Sequence, residues 1–144
     1  RPALEARAAR LGLAAVVQFR GRVSAEELAR AYATSQVCVL PAVVDRRGDT
    51  EGLGVVLLEA MTYGVPVIGS NVGGITDIVT DGETGLLVPP GDAEALAAAI
   101  TRLQRDPALA ARLRAAGPRH VREWFTWDGI VAKWEAGDRT VLTA

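Results

Sequence analysis

Two glutamates with seven residues between them, Glu51 and Glu59 in EGLGVVLLE, are the side chains whose type and spacing could do chemistry. Glu59 stands among Val55, Val56, Leu57, Leu58, Ala60 and Met61. A carboxylate is almost never buried in such company without a partner, because its charged form loses its solvation. Either the helix turns this side chain outward, or something polar comes in to meet it. With a helix beginning around Leu53, Glu51 belongs to the loop at its mouth and Glu59 lies one to two turns in, so both can face one ligand. A carboxylate that accepts two ribose hydroxyls is one way to satisfy Glu59; a neighbouring backbone amide is the plainer one. Gly52 and Gly54 before this helix, and Gly73 and Gly74 in SNVGGIT, let a ligand approach helix N-termini, whose exposed amides carry about half a positive charge and favour phosphate. Taken without the glutamates, such glycines more often mean ordinary turns.

The elements that must position these residues follow from periodicity. Leu4 to Leu13 has helical spacing, and after the turn-prone Gly12 the β-branched run Val16 to Phe19 predicts a strand. SAEE from Ser24 has the capping-box pattern, with Glu27 reaching back, and predicts a helix from Ala25 to about Thr34. VCVLPAVV reads as a buried strand stopped near Pro41. The pattern then repeats: helix GVVLLEAMTYG closed by Gly64, strand VPVIGS, short helix GGITDIVTDG and strand TGLLVPP. A helix in GDAEALAAAITRLQRDP has Asp92 near its start and Pro107 after its end, and further helices are expected in ALAARLRAAG, PRHVREWF and TWDGIVAKWEA. Close alternation of strand and helix, with strands apolar on both faces, predicts an α/β fold: a doubly wound, Rossmann-like parallel sheet covered by helices on both sides. Ligands of such sheets bind beyond the carboxyl ends of the strands, where RGRVS, DRRGDTEGLG and SNVGGIT lie.

Composition narrows the function. The 144 residues are 49% hydrophobic and 23% charged with a net charge of −1, which fits one globular domain and gives no basic excess to hold nucleic acid. The single cysteine, Cys38, excludes a disulfide within the chain and reads as a buried thiol, so the cytoplasm is the expected compartment. No stretch approaches the roughly 18 uninterrupted apolar residues of a membrane helix. A peripheral place at the inner membrane stays open, although the arginines from Arg102 to Arg122 are not read as a convincing anionic-lipid face. His120 is the one histidine, so no histidine relay or metal cluster can be built around it; a solvated or capping role is expected. Trp124, Trp127 and Trp134 are expected to pack the last helices onto the sheet, with part of that aromatic surface bare. The chain opens on Arg1 and runs directly into a helix pattern, and is read as a piece of a longer protein.

The two spaced glutamates, together with FRGRV, VLPA, EAMTYGVPVIGSNVGG, DIV and DGETGLLVPPGDAEALAAAI in this order, resemble the retaining GT-B glycosyltransferases of group 1, the family 4-like enzymes that use nucleotide-sugar donors. The resemblance covers almost the whole chain and implies that residues 1–144 are the C-terminal donor-binding domain, incomplete at its N-terminal side. It implies that Glu51 acts as the catalytic residue, binding the donor sugar and steadying positive charge at its anomeric carbon. Glu59 would hold the nucleotide ribose. The amides of Gly52, Leu53, Gly54 and Val55 would meet the sugar and diphosphate, and Arg22 and Val23 would border the base. No metal and no cofactor are expected beyond the nucleotide-diphosphate sugar itself. The implied partners are that donor, an acceptor that could be a glycan, a lipid or a small molecule, and an N-terminal acceptor domain of the same full-length chain, without which this part is expected to be inactive.

The sequence departs from the family pattern at three points. Asp45 to Thr50 lengthens the loop before Glu51, Asp77 stands where a glutamate is common, and the basic pair that neutralises the diphosphate in the family would lie before Arg1. Arg46 and Arg47 are read as solvated loop residues. Two other functions compete with hexosyl transfer. A non-catalytic nucleotide-binding module would need a glycine fingerprint that GSNVGG lacks, and a nucleotide-sugar epimerase of the same GT-B architecture is opposed by the double-glutamate spacing.

Overall fold

The structure, a computed structural model, describes residues 1–44, 48, 50, 52–129 and 131. They fall into two compact units, which divide between Ala31 and Tyr32. In the first, helix α1 (Pro2–Arg10) starts on a proline whose missing amide costs a first turn nothing, and Arg1 pairs with Glu5 at 2.7 Å. The strand expected over Val16 to Phe19 does not form. Val16 and Val17 instead hydrogen-bond back to the Leu13 carbonyl in a turn, and Val16 is 75% exposed. β-Branched side chains favour a strand only where a neighbouring strand takes up the backbone, and the sheet of the described residues does not include this segment. The capping box does form: the Ser24 amide donates to Glu27 Oε2 at 2.9 Å, and the Glu27 amide to Ser24 Oγ at 3.2 Å. It opens helix α2 (Ala25–Thr34), and the boundary between the two units falls within this helix.

The second unit holds a parallel sheet of β1 (Cys38–Leu40), β2 (Val67–Ser70) and β3 (Leu86–Val88), in the spatial order β1-β2-β3. Cys38 faces Val67 across one ladder, and Ile68 faces Leu86 across the other. Successive side chains of a strand point to opposite faces. Accordingly Val67 packs with Leu57, Ala60 and Met61 of helix α3 (Val55–Thr62) and with Ile75 and Ile78 of helix α4 (Ile75–Ile78). Ile68 packs on the other side with Leu103 of helix α5 (Ala93–Arg105) and with Leu109 and Leu113 of helix α6 (Pro107–Trp124). This is the α/β parallel sheet covered on both faces that the alternation of elements predicts.

Two boundary signals act as read. The Asp92 carboxylate caps α5 through the Ala95 amide at 2.9 Å, and Gly64, at φ 67°, ends α3 in the left-handed region. A third differs. ALAARLRAAG and PRHVREWF are one helix, α6, which runs through Pro118. Proline in a helix interior removes one hydrogen bond and crowds the preceding turn. Here Leu113, Gly117 and Val121, at helical spacing of four, are buried on both sides of it, and that face holds the helix together. Gly117 permits the approach to α3, since a Cβ there would sit 3.2 Å from Met61 Cβ.

Candidate functional site

The loops after β1 and β2 lead into α3 and α4 at the carboxyl edge of the sheet, where ligands of parallel sheets bind. The two loops are in intimate contact. A Cβ built on Gly74, the residue before α4, would lie 1.8 Å from the Gly52 carbonyl oxygen and 3.0 Å from Leu53 Cα. Only glycine fits there. Gly54 precedes α3 in the left-handed region at φ 72° and ψ 42°, wedged against Leu40 and Ile75, and no side chain among the described residues caps the helix start. The first amides of a helix have no intrahelical partner, so an uncapped start offers donors to a ligand. Gly52, Leu53 and Val55 are exposed around this start.

The structure answers the question that Glu59 raises. Leu57, Ala60 and Met61 form the buried face of α3, and Glu59 is on the opposite side, exposed, in line with Val55 and Thr62. It is not the buried carboxylate that its neighbours suggest, because Val55 is itself 54% exposed and Val56 and Leu58 are only partly covered. A polar group meets it as well: Tyr32 Oη donates to Glu59 Oε2 at 2.9 Å, and lies 3.4 Å from the Val56 carbonyl. Tyr32 is itself in the core, 7% exposed, and its ring stacks on Tyr63 at 5.5 Å. Burial, then the bond to Glu59 and its charge, raise the Tyr32 hydroxyl well above the ordinary phenol range. The Cys38 thiol is also raised, first by burial and then by the Glu59 charge. Nothing in the apolar pattern of α3 singles out this tyrosine. The available signal is that a buried tyrosine needs a partner for its hydroxyl.

Of the other residues named from the sequence, Glu51, Arg46, Arg47 and Trp134 lie outside the described residues. Arg22 and Val23 are exposed in the first unit, next to Gly21 at φ 64°. Asp77 is exposed in the first turn of α4. His120 caps a helix from a distance, its Nε2 2.8 Å from the carbonyl of Ile78 at the end of α4, so that nitrogen carries the proton. Trp127 is 83% exposed and Trp124 41%, so the bare aromatic surface is found and tight packing of Trp127 is not. Among the described residues no group of three or more His, Cys, Asp or Glu could hold a metal ion, and no helix is long and apolar enough to cross a membrane.

The family model for glycosyl transferases group 1 matches residues 2–120. The chain belongs to the group 1 glycosyltransferases. Its relatives include a D-inositol 3-phosphate glycosyltransferase of Streptomyces avermitilis, 42% identical over 87% of this chain and 25% of the relative. A GDP-mannose-dependent alpha-(1-6)-phosphatidylinositol monomannoside mannosyltransferase of Mycolicibacterium smegmatis is 38% identical over 86% of this chain and 33% of the relative. The chain thus spans about a quarter to a third of the length of these curated relatives. Among solved structures, the sucrose-phosphate synthase of Thermosynechococcus elongatus is 38% identical with a TM-score of 0.78, over 99% of this chain and 34% of that one. The C-terminal domain of a group 1 glycosyltransferase from Francisella tularensis is 25% identical with a TM-score of 0.74, over 88% and 62%. This group 1 chain therefore has the fold of the C-terminal domain of a GT-B glycosyltransferase.

Proposed function

We propose that this chain is the donor-binding part of a retaining hexosyltransferase, in which the start of α3 holds a nucleotide-diphosphate sugar. The observation that carries the reading is the close seat of the Gly52 carbonyl on Gly74, beside an uncapped α3 start that has Val55 and Glu59 on one exposed face. On this reading the amides from Gly52 to Val55 receive the sugar and the diphosphate, and Glu59 accepts the ribose hydroxyls. Glu51 binds the sugar hydroxyls and steadies the charge that grows at the anomeric carbon. The bond from that carbon to the phosphate oxygen breaks as the acceptor oxygen bonds to the same face. The acceptor's hydroxyl proton leaves with the diphosphate. Such a transfer requires donor and acceptor to be held together, which assigns the second wall of the cleft to an acceptor domain elsewhere in the full-length chain. The names of the curated relatives make inositol-based acceptors the first to test beside other glycans, lipids and small molecules.

The test is sugar transfer by the full-length protein from UDP-, GDP- and ADP-hexoses, with the product anomer read by NMR. Transfer with retention that is lost in Glu51→Gln is expected. Inverted product, a donor epimer formed with no transfer, or undiminished turnover in the variant would overturn the reading.

A further inference from the structure

One contact beside the site has no part in the transfer as described. Tyr32 is a core residue whose hydroxyl reaches the exposed face of α3, where it donates to Glu59. We propose that Tyr32 is a positioning residue for nucleotide binding: the core fixes its ring, and its hydroxyl fixes the Glu59 carboxylate in the orientation that receives the ribose.

An exposed glutamate on a helix samples many side-chain conformations, and a ligand that needs one of them must remove that freedom on binding. The Tyr32 ring has little freedom to lose. It is buried with Leu57, Met61 and Val121, and Tyr63 stacks on it with the ring planes at 27°. The hydroxyl sits 2.9 Å from Glu59 Oε2 and 3.4 Å from the Val56 carbonyl, so its one proton goes mainly to the carboxylate. Tyr32 and Glu59 are 27 residues apart and belong to different helices, so the bond ties the orientation of a ligand-facing group to the packing of the Tyr32 ring in the core. A carboxylate oxygen accepts more than one hydrogen bond, so this tie and a ribose hydroxyl are compatible.

The inference rests on the assignment of Glu59 to the ribose, and its test keeps the two claims apart. UDP, GDP and ADP are titrated calorimetrically into the full-length protein, and the tightest binder is then measured with Tyr32→Phe, Glu59→Ala and the double variant. Tyr32→Phe keeps the ring and removes only the hydroxyl. A hydrogen bond to a charged group supports an expected loss of affinity of about tenfold in Tyr32→Phe. The loss should vanish when Glu59 is already alanine, and when the 2′,3′-dideoxynucleotide replaces the ribonucleotide. A general structural role would persist in both cases and overturn the proposal. If Glu59→Ala weakens binding and Tyr32→Phe does not, the positioning role is refuted while the ribose assignment stands. If Glu59→Ala leaves affinity unchanged, or none of the three nucleotides binds, both are refuted.

Discussion

Replacing Gly74 by alanine adds one methyl group at the place where the two loops of the site meet. The backbone there has φ −67°, which any residue adopts, so the substitution carries no conformational penalty of its own. Space is the whole difficulty. The new carbon would be 1.8 Å from the Gly52 carbonyl oxygen and 2.8 Å from its carbon. Ordinary contact between non-bonded heavy atoms is about 3.5 Å, so the Gly52–Gly54 loop or the start of α4 must move by about 1.7 Å. Overpacking of this kind costs about 1–3 kcal/mol, enough to move a urea midpoint without unfolding the protein. Nucleotide affinity should fall by about tenfold or more, because one hydrogen bond to a charged phosphate lost from the displaced amides is worth about 1.5–3 kcal/mol. Gly82 is the control. It has φ 75°, a Cβ added to it would meet nothing within 4 Å, and it lies in the turn that leads into β3. Gly82→Ala should lose about 1 kcal/mol to backbone strain and keep nucleotide affinity. Urea denaturation and calorimetric titration of both variants decide the matter: Gly74→Ala with wild-type affinity would refute the contact between the loops as the basis of the site.

Other outcomes follow from Tyr32 and Cys38. The Tyr32 hydroxyl is raised in the folded protein, so the folded state keeps its proton to higher pH than the unfolded chain, whose tyrosines titrate near about pH 10. Its contribution is complete below about pH 10 and is lost as pH rises beyond it, so urea midpoints should fall there, and less steeply in Tyr32→Phe; equal slopes in the two proteins would contradict this. Because Glu59 adds to the burial that raises Cys38, Glu59→Gln should lower the thiol pKa and speed its reaction with a disulfide reagent at about pH 8. An equal or slower rate would rule out the coupling.

Much of the second unit is legible in the sequence because local signals and long-range packing agree there. Asp92 caps α5, Gly64 ends α3, and each strand in turn is an apolar run between turn residues. The first unit parts from its signals at Val16 to Phe19, where strand propensity alone cannot supply a partner for the backbone. Pro118 misleads in the other direction, since the buried row Leu113, Gly117 and Val121 continues the helix past a residue that usually stops one. At the α3 start, Gly52, Gly54 and Gly74 can be named from the sequence. The orientation of Glu59 cannot, because α3 is apolar on nearly every side and its period does not reveal which face turns inward. Tyr32 is hidden for a related reason: its contact with Glu59 bridges 27 residues of chain.

The roles of Glu59 and Tyr32 depend on a nucleotide binding through its ribose to the exposed face of α3. Saturation-transfer NMR of UDP, GDP and ADP with the full-length protein, and with its Glu59→Ala variant, probes that contact atom by atom. One nucleotide should take up saturation most strongly at its ribose protons, and that signal should disappear in Glu59→Ala; equal ribose saturation in both proteins would contradict the assignment.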